Sequence, residues 1–162
     1  MWDNDLRIPI WLWIKLVWAL RRVGENKRES GAFLLAKEGS NTVKEFILYT
    51  DLDPQSLDSG IVIFGVNGYR KLWKYCAKNG LQVAADVHTH PGPNTGQSYA
   101  DMTHPMVRKE GHRALIIPSY AQQGWYKLTN ISAYLYNGSF EWTKLSVILS
   151  MIYFKVLRHD DA

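Results

Sequence analysis

Cysteine is nearly absent from this 162-residue sequence, where Cys76 stands alone. A single thiol excludes an internal disulfide framework, a CxxC redox pair and every zinc site built on two or more thiolates. Any metal held by the chain must rest on histidine, carboxylate and water. Long apolar runs are missing as well. The greasiest stretch, IPIWLWIKLVWAL from Ile8 to Leu20, is interrupted by Lys15 and falls short of the ~20 residues of a spanning helix. Asp3 and Asp5 precede it and Arg21–Arg22 follow it, the reverse of signal-peptide charge order. The expectation is a cytoplasmic protein with no transmembrane segment. Blocks of one charge are lacking too. The 19 Lys+Arg exceed the 15 Asp+Glu by only four. The basic residues come in pairs (Arg21–Arg22, Lys27–Arg28, Arg70–Lys71, Arg108–Lys109), short of the ~5–8 residue runs that mark nucleic-acid patches. Nucleic acid is therefore not an expected partner.

What is present reads as one α+β domain over residues 1–162, a length within the ~100–200 residues usual for a domain. Pro9 opens a first helix whose Trp13, Leu16, Val17 and Leu20 face a core, with Trp11, Ile14 and Trp18 on another face. GAFLLAKEG and VKEFILYT, separated by Ser40–Asn41, read as a strand pair, and Ile61–Phe64 as a short buried strand. Tyr69, Leu72, Trp73 and Cys76 fall at helical spacing over Asn67–Asn79, closed by Gly80. Strands follow at Leu81–His90 and Arg113–Pro118, and Asn137–Gly138 signals a hairpin turn. The apolar segment Val147–Arg158 fits helix and strand equally.

One stretch carries chemistry. His88-Thr89-His90-Pro91 leads through Gly92, Pro93 and Gly96 to Ser98-Tyr99-Ala100-Asp101. Side chains at i and i+2 of a strand share a face, so His88 and His90 point together. Pro91 ends the strand and leaves both imidazoles at its mouth. The glycine- and proline-containing loop can return Asp101 to the same point, with Ser98 as the N-cap of the next helix. Two neutral imidazoles and one carboxylate make a three-ligand zinc site whose fourth position is open, the catalytic type. One Zn2+ per chain is expected. Such a site needs a base, and spacing alone does not place it.

HTHP followed by SYAD, with Asp101 eleven residues after His90, resembles the JAMM motif H-x-H-P…S-x-x-D of the JAB/MPN metalloproteases, which remove ubiquitin and ubiquitin-like proteins. The segment RESGAFLL resembles the glutamate-bearing strand start of that family, and GQSYAD…HPMVRKEGHRALIIP resembles its compact prokaryotic members from antiphage conjugation operons. The resemblance covers Glu29 to about Pro118 and the preceding helix. It implies an MPN/JAB (cytidine-deaminase-like) fold, a curved mixed sheet flanked by two or three helices. It also implies His88, His90 and Asp101 as zinc ligands, Glu29 as the general base and Ser98 as a donor to the tetrahedral intermediate. The implied activity is an isopeptidase or peptidase cutting after the C-terminus of a ubiquitin-like protein. E1-like and E2-like proteins are the implied operon partners.

Two departures from the family pattern stand out. Ala32 and Ala36 occupy places where glycine is common, and Asp86 one where an aromatic is common. Asp86 is read either as an acceptor that orients His88 or as a solvated carboxylate. His104, one turn after Asp101, is a further candidate near the metal. Glu25 and Glu38 are rival bases, His112 and His159 are bystanders, and Cys76 is a buried small hydrophobe. The alternatives in function are a non-catalytic MPN scaffold, processing of a modifier or sulfur-carrier precursor, and a deconjugase of a cyclic-oligonucleotide antiphage system.

Overall fold

A computed structural model describes residues 5–150 and 153–157, the side chains of Leu149 and Ser150 excepted. Strand β1 (Leu6–Pro9) runs straight into helix α1 (Ile10–Gly24), with Pro9 at the boundary. Proline suits that place because its fixed φ tolerates a helix start and the missing N–H is not needed there. Leu12, Trp13, Leu16, Val17 and Leu20 are buried along one stripe of α1, while Trp11 and Trp18 are exposed. Arg21 and Arg22 lie in the last turn, where cations offset the helix dipole, and Glu25 closes the helix in a left-handed conformation.

Strands β2 (Gly31–Lys37) and β3 (Val43–Leu48) form the expected hairpin, followed by a single helical turn α2 (Tyr49–Leu52) and helix α3 (Val66–Asn79). Strand β4 (Leu81–Thr89) follows, then the short helix α4 (Tyr99–Thr103). Strands β5 (Arg113–Ile117), β6 (Ser132–Gly138), β7 (Glu141–Ser150) and β8 (Tyr153–Leu157) complete the described chain. All eight strands make one sheet in the order β1-β8-β7-β6-β5-β4-β2-β3. Only β4 and β5 pair in parallel, so the sheet is mixed and the architecture is α+β, as expected from sequence. Its two edges approach each other where Arg7 bridges Thr42 and the Arg7 N–H donates to the Asn41 carbonyl at 3.0 Å. The sheet curls accordingly around α1.

Two apolar layers result. Ala32, Leu34, Ala85, Val87, Leu115 and their neighbours pack against α1, and Phe33, Leu35, Leu72 and Cys76 pack on the other face beneath α2 and α3. Strand β2 is covered on both faces, which is why GAFLLAK reads as a continuous apolar run rather than an alternating one. The register of β2 against β4 shifts between Leu34 and Leu35, where Ala84 is the extra residue on β4 and joins Ala85 in the layer against α1.

Five expectations change. Residues 61–64 form an irregular loop, with Ile61 and Ile63 53% and 61% exposed, because only Val62 and Phe64 turn inward. Tyr49 and Thr50 leave the strand for α2. Trp73 is 46% exposed, so the buried stripe of α3 is carried by Leu72 and Cys76. The β6–β7 hairpin turns at Ser139–Phe140, both at positive φ, with Gly138 paired to Glu141. Asn137 is free for its side chain to donate to Thr143 Oγ1 at 2.9 Å. There are four α-helices among the described residues instead of two or three. The undecided segment is strand β7 continuing to β8, and Arg158 and His159 lie outside the described residues.

Candidate metal centre

The centre lies at the C-terminal mouth of β4. His88 is the penultimate residue of that strand, and His90 follows just beyond its end. Helix α4 delivers Asp101. Ser98 is its N-cap, with Ser98 Oγ accepting from the Asp101 N–H at 3.1 Å and the Asp101 carboxylate accepting from the Ser98 N–H at 2.7 Å. This reciprocal cap holds the carboxylate on the first turn.

Two imidazole nitrogens and one carboxylate converge. His88 Nε2 is 3.1 Å from His90 Nε2 and 3.2 Å from Asp101 Oδ1, and His90 Nε2 is 3.2 Å from Asp101 Oδ2. Ligands held 2.0–2.1 Å from a tetrahedral Zn2+ stand about 3.3 Å apart, close to the spacing between the two imidazole nitrogens and between each of them and one carboxylate oxygen. The other ring nitrogen of His90, Nδ1, lies 3.1 Å from the Asn94 carbonyl, a partner that leaves Nε2 as the metal-facing nitrogen. Among the described residues, His88, His90 and Asp101 are the group able to hold a metal ion. Burial opposes ionisation of Asp101, but hydrogen bonds from both imidazoles hold its carboxyl well below the usual range. The bond to Asp101 raises His90 above its ordinary value against the effect of burial.

Glu29 opens onto the same cavity, a space of about 250 Å³ lined also by Tyr49, Asp86, Ile116 and Trp142. Its backbone N–H donates to Gly60 at 3.0 Å. Burial raises its carboxyl above the ordinary value, opposed by the nearby imidazoles and by a hydrogen bond from the Val62 backbone. The rivals are elsewhere. Glu38 follows Lys37, which pairs with Leu81 at the far end of β4, and Glu25 is exposed beside Trp18 and Arg22.

His104 lines the cavity but is exposed, its Nδ1 2.9 Å from Thr103 Oγ1, and it stands outside the ligand group. Asp86 takes neither role foreseen for it. Its side chain is 2% exposed, with Oδ1 2.5 Å from His112 Nε2 and Oδ2 accepting from the Tyr49 hydroxyl at 3.3 Å. His112 is therefore a structural partner and not a bystander. Sequence reasoning missed this pair because the two residues lie 26 positions apart and neither sits in a motif.

A second feature escaped the sequence. Ser119, Tyr120 and Ala121 all adopt left-handed backbone, at φ of 54°, 51° and 63°. L-residues lose roughly 1–2 kcal/mol each in that region. The Ser119 N–H donates to the Gly92 carbonyl and the Tyr120 N–H to that of His90, both at 2.9 Å.

No family model matches the chain. Among solved structures it is similar to a protein from Desulfitobacterium hafniense determined in solution, with a TM-score of 0.59 and 16% identity over 88% of this chain and 91% of that one. At that identity the likeness is one of fold. A JAB1/MPN domain protein from Archaeoglobus fulgidus has a TM-score of 0.49 at 16% identity, over 84% of this chain and 91% of that one. A Salinibacter ruber protein has the same TM-score and identity, over 83% and 82%.

Proposed function

We propose that this chain is a JAMM-type zinc hydrolase that cleaves an amide or isopeptide bond after the C-terminal tail of a ubiquitin-like protein. The observation that carries the reading is the His88–His90–Asp101 triangle with Glu29 on the same cavity wall. The sequence motif HTHP…SYAD supports the choice of zinc and of substrate class. His88, His90 and Asp101 would hold Zn2+, which when bound would supply Lewis acidity to a scissile carbonyl and to water. Glu29 accepts a proton from the attacking water and returns it to the departing amine, a double task suited to a carboxyl raised by burial. Ser98 Oγ accepts from the Asp101 N–H, which leaves its own hydrogen free to donate to the developing oxyanion. Release of a modifier from conjugates in a prokaryotic antiphage operon, in the cytoplasm beside E1-like and E2-like partners, is the biological setting proposed.

The test is a paired measurement of metal content and cleavage. The purified chain should carry about one zinc and should cut a ubiquitin-like–target fusion after the modifier's last residue. Glu29→Ala should keep the metal and lose cleavage. Zinc without cleavage of any such fusion would favour a non-catalytic binding module.

A further inference from the structure

We propose that the left-handed turn Ser119–Ala121 is a positioning element for the metal ligand His90. The inference rests on the metal-site reading and goes beyond it. His90 lies past the end of β4, where the sheet still holds its N–H through the last residue of β5 but not its carbonyl. That carbonyl is taken instead by the segment after β5. The His90 N–H donates to the Ile117 carbonyl, and the His90 carbonyl accepts from the Tyr120 N–H, both at 2.9 Å. The neighbouring Ser119 N–H holds Gly92, which opens the loop leading to Asp101. Both amides must therefore face the same loop.

The left-handed sense of the turn allows this. Within the turn, the Ala121 N–H closes on Pro118 at 3.0 Å and the Gln122 N–H on Ser119 at 2.9 Å, which leaves the amides of Ser119 and Tyr120 to face outward. No glycine eases the conformation. Ala121, 1% exposed, packs into the layer against α1 and fixes the turn from behind. Strained backbone persists where its surroundings over-determine it, and here the surroundings are one metal ligand and the loop that leads to another.

The test compares three substitutions of Tyr120 that remove the ring equally. Asn and Gly accept left-handed backbone, whereas β-branched Val opposes it. Zn2+ affinity, measured by chelator competition below the unfolding temperature, should fall by about tenfold or more in Tyr120→Val, the scale for loss of an outer-shell partner, and recover in Tyr120→Asn and Tyr120→Gly. The d–d spectrum of the Co2+-loaded Val variant should shift from that of the other two. Equal Zn2+ affinities for all three overturn the proposal. Should Tyr120→Val fail to fold, amide exchange of the wild-type chain decides. Zn2+ should protect the amides of Ser119 and Tyr120 more than that of Gln122, and equal protection overturns the proposal. A wild-type chain that binds no Zn2+ removes the metal reading and this inference together. One that binds Zn2+ but cleaves nothing removes only the hydrolase.

Discussion

Gly31 stands directly opposite His88 in the antiparallel ladder between β2 and β4. Extending that register by two places sets Glu29 opposite His90, so the proposed base and the candidate ligands share the mouth of one strand pair. Ser30 and Thr89 lock the step between them. The Ser30 N–H donates to Thr89 Oγ1 and the Thr89 N–H to the Ser30 carbonyl, both at 2.9 Å.

Gly31→Ala tests this register. A methyl group there would meet the Tyr49 ring at 2.2 Å and the Val87 carbonyl at 2.8 Å. Stability should fall by about 1–3 kcal/mol in urea unfolding, the usual range for overpacking. Because the strain falls between Glu29 and the ligands, cleavage should fall further than zinc content does. Equal losses would mean that Gly31 serves packing alone.

The pH profile tests Glu29. Burial raises its carboxyl above the ordinary 4.5, and a general base must be ionised to act. Hence kcat/KM should climb with rising pH through an apparent pKa above 4.5, and the acid side should be the inactive one. Glu29→Gln should lower the rate about 10²–10⁴-fold and abolish that limb. An acid limb unchanged in the variant would assign it to another group.

His88→Ala should uncouple stability from zinc. Saturation at a hundred times Kd raises stability by about 2.7 kcal/mol, so wild-type Tm should rise on adding Zn2+. The variant, left with His90 and Asp101, should show no such rise and no bound metal. A zinc-dependent Tm in His88→Ala would place the metal elsewhere.

The Asp86–His112 pair calls for a double-mutant cycle. Both side chains are 2% exposed, so removing one partner leaves the other buried and short of a hydrogen bond. His112→Ala and Asp86→Ala should each cost about 3–5 kcal/mol. The double variant should cost less than the sum by about 0.5–3 kcal/mol, and strict additivity would dismiss the pairing.

The convergence of His88, His90 and Asp101 was legible in the sequence because strand alternation puts His88 and His90 on one face and Ser98 announces a helix start. Glu29 emerged only through resemblance. Its place depends on β2–β4 register, which is set by long-range pairing and by a bulge that no local pattern encodes. Helix α1 was readable from its apolar stripe, but α2 was not, since Tyr49 and Thr50 carry strand-forming side chains. Ser-Tyr-Ala at 119–121 gives no sign of positive φ, which sequence reading assigns to glycine or asparagine. The same blind spot moved the β6–β7 hairpin turn from Asn137–Gly138 to Ser139–Phe140. Asp86 and His112 were invisible as a pair because burial, not spacing, unites them.

Cys76 lies 4% exposed on the inner side of α3, and burial raises its thiol pKa. Thiolate is the reactive form, so reagents reach this sulfur slowly while the helix is seated. As the chain's one sulfhydryl, it is a native clock for the layer opposite α1. Its labelling rate counts how often α3 lifts from the sheet. Run with and without Zn2+, that clock reports whether loading the mouth of β4 is felt across the sheet, with no probe added to the chain.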